Sequence, residues 1–116
     1  MQITRLADAK RYDAPKHHDM RALRLQGVEA SDADFATVGL SYFLPGGSAD
    51  MDAGSVGKIY VVLEGQITIT LGEGIVHRLD KLDSCFIPAG EARAVHNHGN
   101  VVATMLVVMP TLKAIA

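Results

Sequence analysis

An all-β fold, an antiparallel sandwich or jelly-roll barrel, follows from three features of this 116-residue chain. Turn signals built on Gly, Pro, Asn and Asp recur roughly every 8–12 residues over most of its length. The runs between them are rich in β-branched and aromatic residues, and no stretch of period 3.6 reaches ordinary helix length. The strongest run is Lys58-Ile59-Tyr60-Val61-Val62-Leu63, followed by Glu64-Gly65 and an alternating stretch over residues 66–71. Tyr60 and Val62 share one face of this strand and Ile59, Val61 and Leu63 the other, so it is expected to be covered on both sides.

The elements follow in order. Residues 1–34 are mixed and polar and read as an N-terminal arm, with a short strand over 20–26, where Leu23 and Leu25 alternate with Arg24, and a turn at Gly27. A strand over 38–44 stops at Pro45-Gly46-Gly47, where proline fixes φ and the glycines permit a reversal. Residues 48–57 are small and read as a loop before the strand at 58–63. A hairpin turn at Leu71-Gly72-Glu73-Gly74 leads to a strand over 75–79, and a turn over 80–83 to a short strand over 84–87. Pro88-Ala89-Gly90 turns into a strand over 92–96, and Asn97-His98-Gly99-Asn100 into the last strand, 101–109, ended by Pro110. The organisation expected is an arm over 1–34, a barrel over 35–110 and a tail over 111–116.

Composition narrows the function. One domain of this size buries about two thirds of its unfolded surface, so neither disulfide nor metal is needed for stability. Net charge is −2, from 11 basic and 13 acidic residues spread along the chain, which leaves no basic footprint for nucleic acid. Cys85 is the only cysteine, so no intrachain disulfide forms, and the first residues lack the apolar core of a signal peptide. A cytoplasmic location is expected. The longest apolar run, 101–109, is broken by Thr104 and too short to span a bilayer, so no membrane partner is expected.

Three segments together resemble the signature motifs of the cupin superfamily: Leu44-Pro45-Gly46-Gly47, then Tyr60-Val61-Val62-Leu63-Glu64-Gly65, then Asp83-Ser84-Cys85-Phe86-Ile87-Pro88-Ala89-Gly90 with Asn97 seven residues on. The resemblance covers about residues 40–108 and implies a cupin-type jelly-roll (double-stranded β-helix) barrel with an N-terminal arm. In that family two histidines and a glutamate of the first motif and a histidine of the second usually hold Fe, Mn, Ni or Zn. Counting back from Gly65 places Lys58 at the glutamate position and Asp52 and Gly54, or Met51 and Ala53, at the two histidine positions. Counting on from Gly90 places Arg93 at the third histidine, while Asn97 matches its motif. Lys and Arg are donors without a lone pair to give, so the usual metal site is read as degenerate, with no cofactor expected.

The resemblance and strand parity put Lys58, Tyr60 and Arg93 together inside the barrel. Two inward cations are costly to desolvate and repel one another, so something anionic should compensate. A bound carboxylate would do so, with Arg93 gripping it in two places and Lys58 acting as a point charge, a proton carrier or an amine nucleophile. In the other reading they pair with Asp52 or Glu91 and serve only as structural glue. Asp52 and Asn97 complete the candidate binding set. His77 shares parity with Leu79, an inward position in this fold, and is a candidate acid or base beside Tyr60. His96 and His98 have ligand-like spacing but lie opposite in parity to Arg93, and His17 and His18 read as surface residues of the arm. Cys85 reads as a packed hydrophobe.

Three functions stay open: a metal-independent isomerase, lyase or decarboxylase acting on a small anion, a non-catalytic binding or sensing module using the same pocket, and a metal-dependent dioxygenase or isomerase with ligands rearranged to Asp52, His77, His96 and His98. The second apolar face of the strands at 58–63 and 101–109 needs cover from the arm, from a partner subunit or from both, so a homodimer is expected.

Overall fold

The computed structural model describes residues 1–111; the tail expected over 111–116 lies, after Thr111, outside them. A short 3-10 turn at Leu6–Asp8 precedes nine strands: β1 (Lys10–Tyr12), β2 (His17–Gln26), β3 (Ala36–Ala53), β4 (Lys58–Glu64), β5 (Ile67–Leu71), β6 (Val76–Leu79), β7 (Ser84–Ile87), β8 (Ala92–His96) and β9 (Ala103–Pro110). All pair antiparallel, in the order β6-β5-β8-β3-β9-β4-β7, with β2 alongside β3 and β1 alongside β2. The two ends of this path, β6 and β7, are consecutive in the chain, so the jelly roll is nearly closed and its seam lies between them.

β3 differs from its expected course. It does not stop at Pro45 but runs 18 residues, to Ala53, so residues 48–53 are strand rather than loop. Before the Pro45-Gly46-Gly47 bend it pairs with β9, and after the bend with β8. Gly46 sits at φ +84°, and a Cβ on Gly47 would lie 2.4 Å from the Asp19 carbonyl oxygen, so the bend needs glycine. The Gly46 N–H donates to the Asn97 carbonyl and the Asn97 N–H to the Gly47 carbonyl, each at 2.9 Å, which keeps the bent backbone paired. The glycines thus pass one strand from pairing with β9 to pairing with β8 instead of reversing it.

β2 starts three residues before the expected 20–26. Its register against β3 slips between His18 and Met20, where Asp19 has φ +50°. The core contains Phe43, Tyr60, Val62, Ile67, Val95 and Met105, all nearly free of solvent contact. Tyr60 and Val62 therefore point inward, and Ile59 outward, still 44% exposed. The arm adds β1 and β2 beside β3, two strands away from β4, so it leaves that outer face open.

Candidate functional site

A cavity of about 260 Å³ opens inside the barrel. β4 contributes Lys58 and Tyr60 to its wall, β8 contributes Arg93 and Val95, and β3 contributes Ser41 and Phe43. The arm closes one side with Tyr12, Asp13, Pro15 and His17, and β2 adds Arg24. Gly39 makes room for this: a Cβ there would lie 2.7 Å from the Tyr12 hydroxyl. The Arg24 guanidinium stacks on the Tyr12 ring, 3.9 Å from its centroid.

Arg93 is the buried centre of the site, 6% exposed. Its Nε donates to the Tyr60 hydroxyl at 2.7 Å and its Nη1 to the Asp50 carbonyl at 3.2 Å. Burial pushes the Tyr60 phenol up, against the opposing pull of Arg93. The phenol therefore stays protonated while accepting from Arg93, and its own hydrogen is available to a third group. Lys58 has its ammonium close to Gly54, where a Cβ would lie 3.0 Å from Nζ. Burial, then the positive charge of Arg93, lowers its pKa from the ordinary amine value, and Asp52 opposes this.

The structure thus brings Lys58, Tyr60 and Arg93 into one cavity. The remaining candidates lie elsewhere. Asp52 is opposite Arg93 in the β3–β8 register, yet its carboxylate points to solvent and pairs with Lys16 at 3.4 Å. Among the described residues no ion pair within 4 Å joins Lys58 or Arg93 to Asp52, Glu91 or any other carboxylate, and Asp52 acts on the two cations only at longer range. Asn97 is 1% exposed and structural: its Nδ2 donates to the Phe43 and Val101 carbonyls and its Oδ1 accepts from the Gly99 N–H, all at 2.9 Å.

His77 has the expected parity, since it pairs with the buried Ile69. It lies on the seam strand β6, however, and lines a separate groove with Cys85 and Glu91. Burial pushes the Cys85 thiol up.

Sequence reasoning missed His17, which it left on the surface. The left-handed turn at Asp19 breaks the alternation of β2 and puts odd-numbered His17 on the same side as Met20 and Arg24, a switch that period-two reading cannot see. Its Nδ1 lies 2.7 Å from the Pro15 carbonyl oxygen, and its ring stacks on Phe43 at 6.4 Å. Burial lowers its pKa, the Pro15 hydrogen bond opposes, and Arg93 and Lys58 lower it further. Tyr12, also unforeseen, is raised by burial.

The fold family implies a metal, and the donor set at its usual positions does not fit one. Lys58 and Arg93 offer no lone pair, and among the described residues no three His, Cys, Asp or Glu side chains come together to hold an ion. The rearranged set is likewise not assembled: His96 and His98 stack on each other outside the barrel, 4.6 Å apart and parallel within 1°, away from the cavity.

The fold and this altered motif define a small cupin. Residues 39–109 match the family model described as Cupin domain, and the chain belongs to that family. It is 40% identical over 107 residues to a Mycobacterium tuberculosis protein named beta-D-galactosidase Rv1717, covering 92% of this chain and 91% of that one. Among solved structures it is similar to the polyketide cyclase RemF from Streptomyces resistomycificus, with TM-score 0.84, 22% identity, and coverage of 95% of this chain and 79% of that one. It is also similar to an RmlC-like cupin from Shewanella frigidimarina, with TM-score 0.78, 12% identity, and coverage of 97% and 93%. At these identities the structural likenesses show the fold alone. No helix among the described residues is long and apolar enough to cross a membrane.

Proposed function

We propose that this cupin is a metal-independent enzyme, an isomerase of small carboxylate-bearing molecules, with its site in the cavity around Arg93. One observation carries the reading: Arg93 is 6% exposed, hydrogen-bonded only to the neutral Tyr60 phenol and a backbone carbonyl, and without a carboxylate partner among the described residues. A buried guanidinium left uncompensated is destabilising, and a ligand carboxylate removes that cost. Of the five guanidinium N–H groups two are used, so three remain for a two-pronged grip. Lys58 adds charge where an enolate oxygen would form, and the Tyr60 O–H donates to the same atom.

A second reading, β-galactoside hydrolysis, is favoured by the 40% identical relative of that name. Glycosidases ordinarily use two carboxyl groups about 5–9.5 Å apart. Asp13 is the one carboxylate on the cavity wall among the described residues, while those of Asp50 and Asp52 are held by His18 and Lys16. The geometry therefore favours the first.

A thermal-shift screen of small carboxylic acids against galactose and lactose, with a nitrophenyl β-galactoside assay alongside, separates the two. Stabilisation by an acid, lost in Arg93→Met, supports the anion site. Nitrophenol release that disappears in Asp13→Asn and survives Arg93→Met replaces it with the second reading. The proposal also includes a second copy of the chain over the outer face of β4 and β7, where Ile59 and Phe86 are 44% and 67% exposed. Light scattering that gives the mass of a single chain at micromolar concentration overturns that part.

A further inference from the structure

Resting on the anion-site reading, we propose that His17 is the general base of this cavity and that the arm therefore supplies part of the catalytic machinery. The geometry sets its tautomer. A carbonyl oxygen only accepts, so the 2.7 Å contact with Pro15 requires the hydrogen on Nδ1 and leaves the lone pair of the neutral ring on Nε2. Among the described residues Nε2 has no hydrogen-bond partner. Stacking on Phe43 and the backbone bond to Pro15 hold the ring against the cavity wall.

The groups facing it keep it neutral. Arg93 comes from β8, Lys58 and Tyr60 from β4, and Arg24 from β2, while Tyr12 and Asp13 belong to the arm and Asp50 to β3. Burial, Arg93 and Lys58 disfavour a further positive charge, against the Pro15 hydrogen bond and, least, Asp50. Lys58 is the competing base, but an amine with an ordinary value of about 10.4 must shift by more than three units to be free at pH 7, whereas imidazole begins at about 6.5. His17 takes the proton and Lys58 keeps its charge.

In the step, a substrate C–H bond next to a carbonyl breaks. Its proton forms Nε2–H, and its electron pair moves through the carbon–carbon bond onto the carbonyl oxygen beside Lys58 and the Tyr60 hydroxyl. In a substrate whose carbon–carbon double bond adjoins that carbon the electron pair is shared as a dienolate, and return of the proton from Nε2–H to its far carbon, on the same face, regenerates neutral His17 and shifts the double bond, an isomerisation with no oxidant or reductant.

Long-range ¹H–¹⁵N NMR of the full chain, with His17→Gln supplying the assignment, reads this without turnover. In the ligand-free protein the Nδ1–H tautomer is expected, with a titration midpoint below about 6.5. Lys58→Met should raise the midpoint, and saturating malonate should raise it too, since each removes net positive charge. An Nε2–H tautomer, or a midpoint at or above the ordinary value, overturns the assignment. The expected tautomer and midpoint without response to malonate or to any acid of the screen overturns the anion site instead, and with it a base acting on an anion. On an acid that is turned over, His17→Gln (or His17→Asn if the first does not fold) should lose about 10²–10⁴ in kcat while keeping the thermal shift; unchanged kcat overturns the proposal.

Discussion

Two of the hollows among the described residues lie along the inward face of the sheet, and they differ in what closes them. The first holds Arg93 and Tyr60 and is walled by the arm. The second, about 370 Å³, lies along the seam between β6 and β7 and holds His77, Cys85 and Glu91. His77 and Arg93 are both inward by parity, one opposite Ile69 and the other opposite Leu71. Yet Arg93 is buried and His77 exposed, because β8 has a strand on each side whereas β6 pairs only with β5. Desolvation gives a charged or basic group its chemistry, and here it depends on sheet position more than on residue type. The arm-walled cavity is accordingly where substitutions should act, and the seam is the control.

The largest effect expected is on stability. Phe43 is 1% exposed and belongs both to the core and to the cavity wall. Phe43→Ala should cost about 3–5 kcal/mol in urea unfolding, by lost transfer energy plus the void it leaves. A loss under about 1 kcal/mol would mean that the cavity side is loosely packed and as tolerant as the seam.

Arg93→Met sharpens the contrast in function. It should abolish acid-induced thermal stabilisation, while His77→Gln on the seam should leave that stabilisation intact. The ligand-free Arg93→Met protein should be no less stable than the parent, since a buried charge without a carboxylate partner among the described residues has gone. A marked fall in its unfolding midpoint would show that the bonds to Tyr60 and the Asp50 carbonyl hold the barrel together, and that Arg93 serves structure first.

How far these two hollows could be read from the sequence follows the same division. Period-two alternation and turn chemistry located β4 through β9, and the resemblance to the cupin motifs, counted from Gly65 and Gly90, picked out Lys58 and Arg93, whose inward faces follow because in-register strands carry parity across a sheet. Parity alone says nothing about which strand is an edge, and so His77 was expected in the cavity. The course of β3 past Pro45 depends on a partner change that only the three-dimensional pairing shows, and the same bend needs Asn97, whose motif position suggested a ligand and whose hydrogen bonds all go to backbone. His17 was hidden by one left-handed residue, Asp19.

A smaller effect is expected from pH. The folded-state pKa of His17 is lowered, by burial first and then by Arg93 and Lys58 against the Pro15 bond. Between that value and the unfolded value of about 6.5 the unfolded chain binds the extra proton, so stability rises with pH through this window and is lost as pH falls. Lys58, also lowered, gives the same sign in the alkaline range, up to about pH 10.4. Urea unfolding of His17→Gln should lose the acid slope and keep the alkaline one. An acid slope that survives the substitution would assign it to other groups and weaken the case that the cavity desolvates the arm.

The smallest effect belongs to the seam. Leu82, in the turn between β6 and β7, has φ +69° and is 70% exposed. A branched side chain in the left-handed region costs about 1–2 kcal/mol, and glycine there relieves the strain while giving back about 0.5–1 in unfolded-state entropy. Because the Leu82 side chain is largely solvated, little packing is lost. Leu82→Gly should therefore stabilise the chain by about 0.5 kcal/mol, raising the unfolding midpoint slightly without touching acid binding. Destabilisation instead would mean that Leu82 is covered in solution, and that the seam is closed by something the isolated chain does not supply.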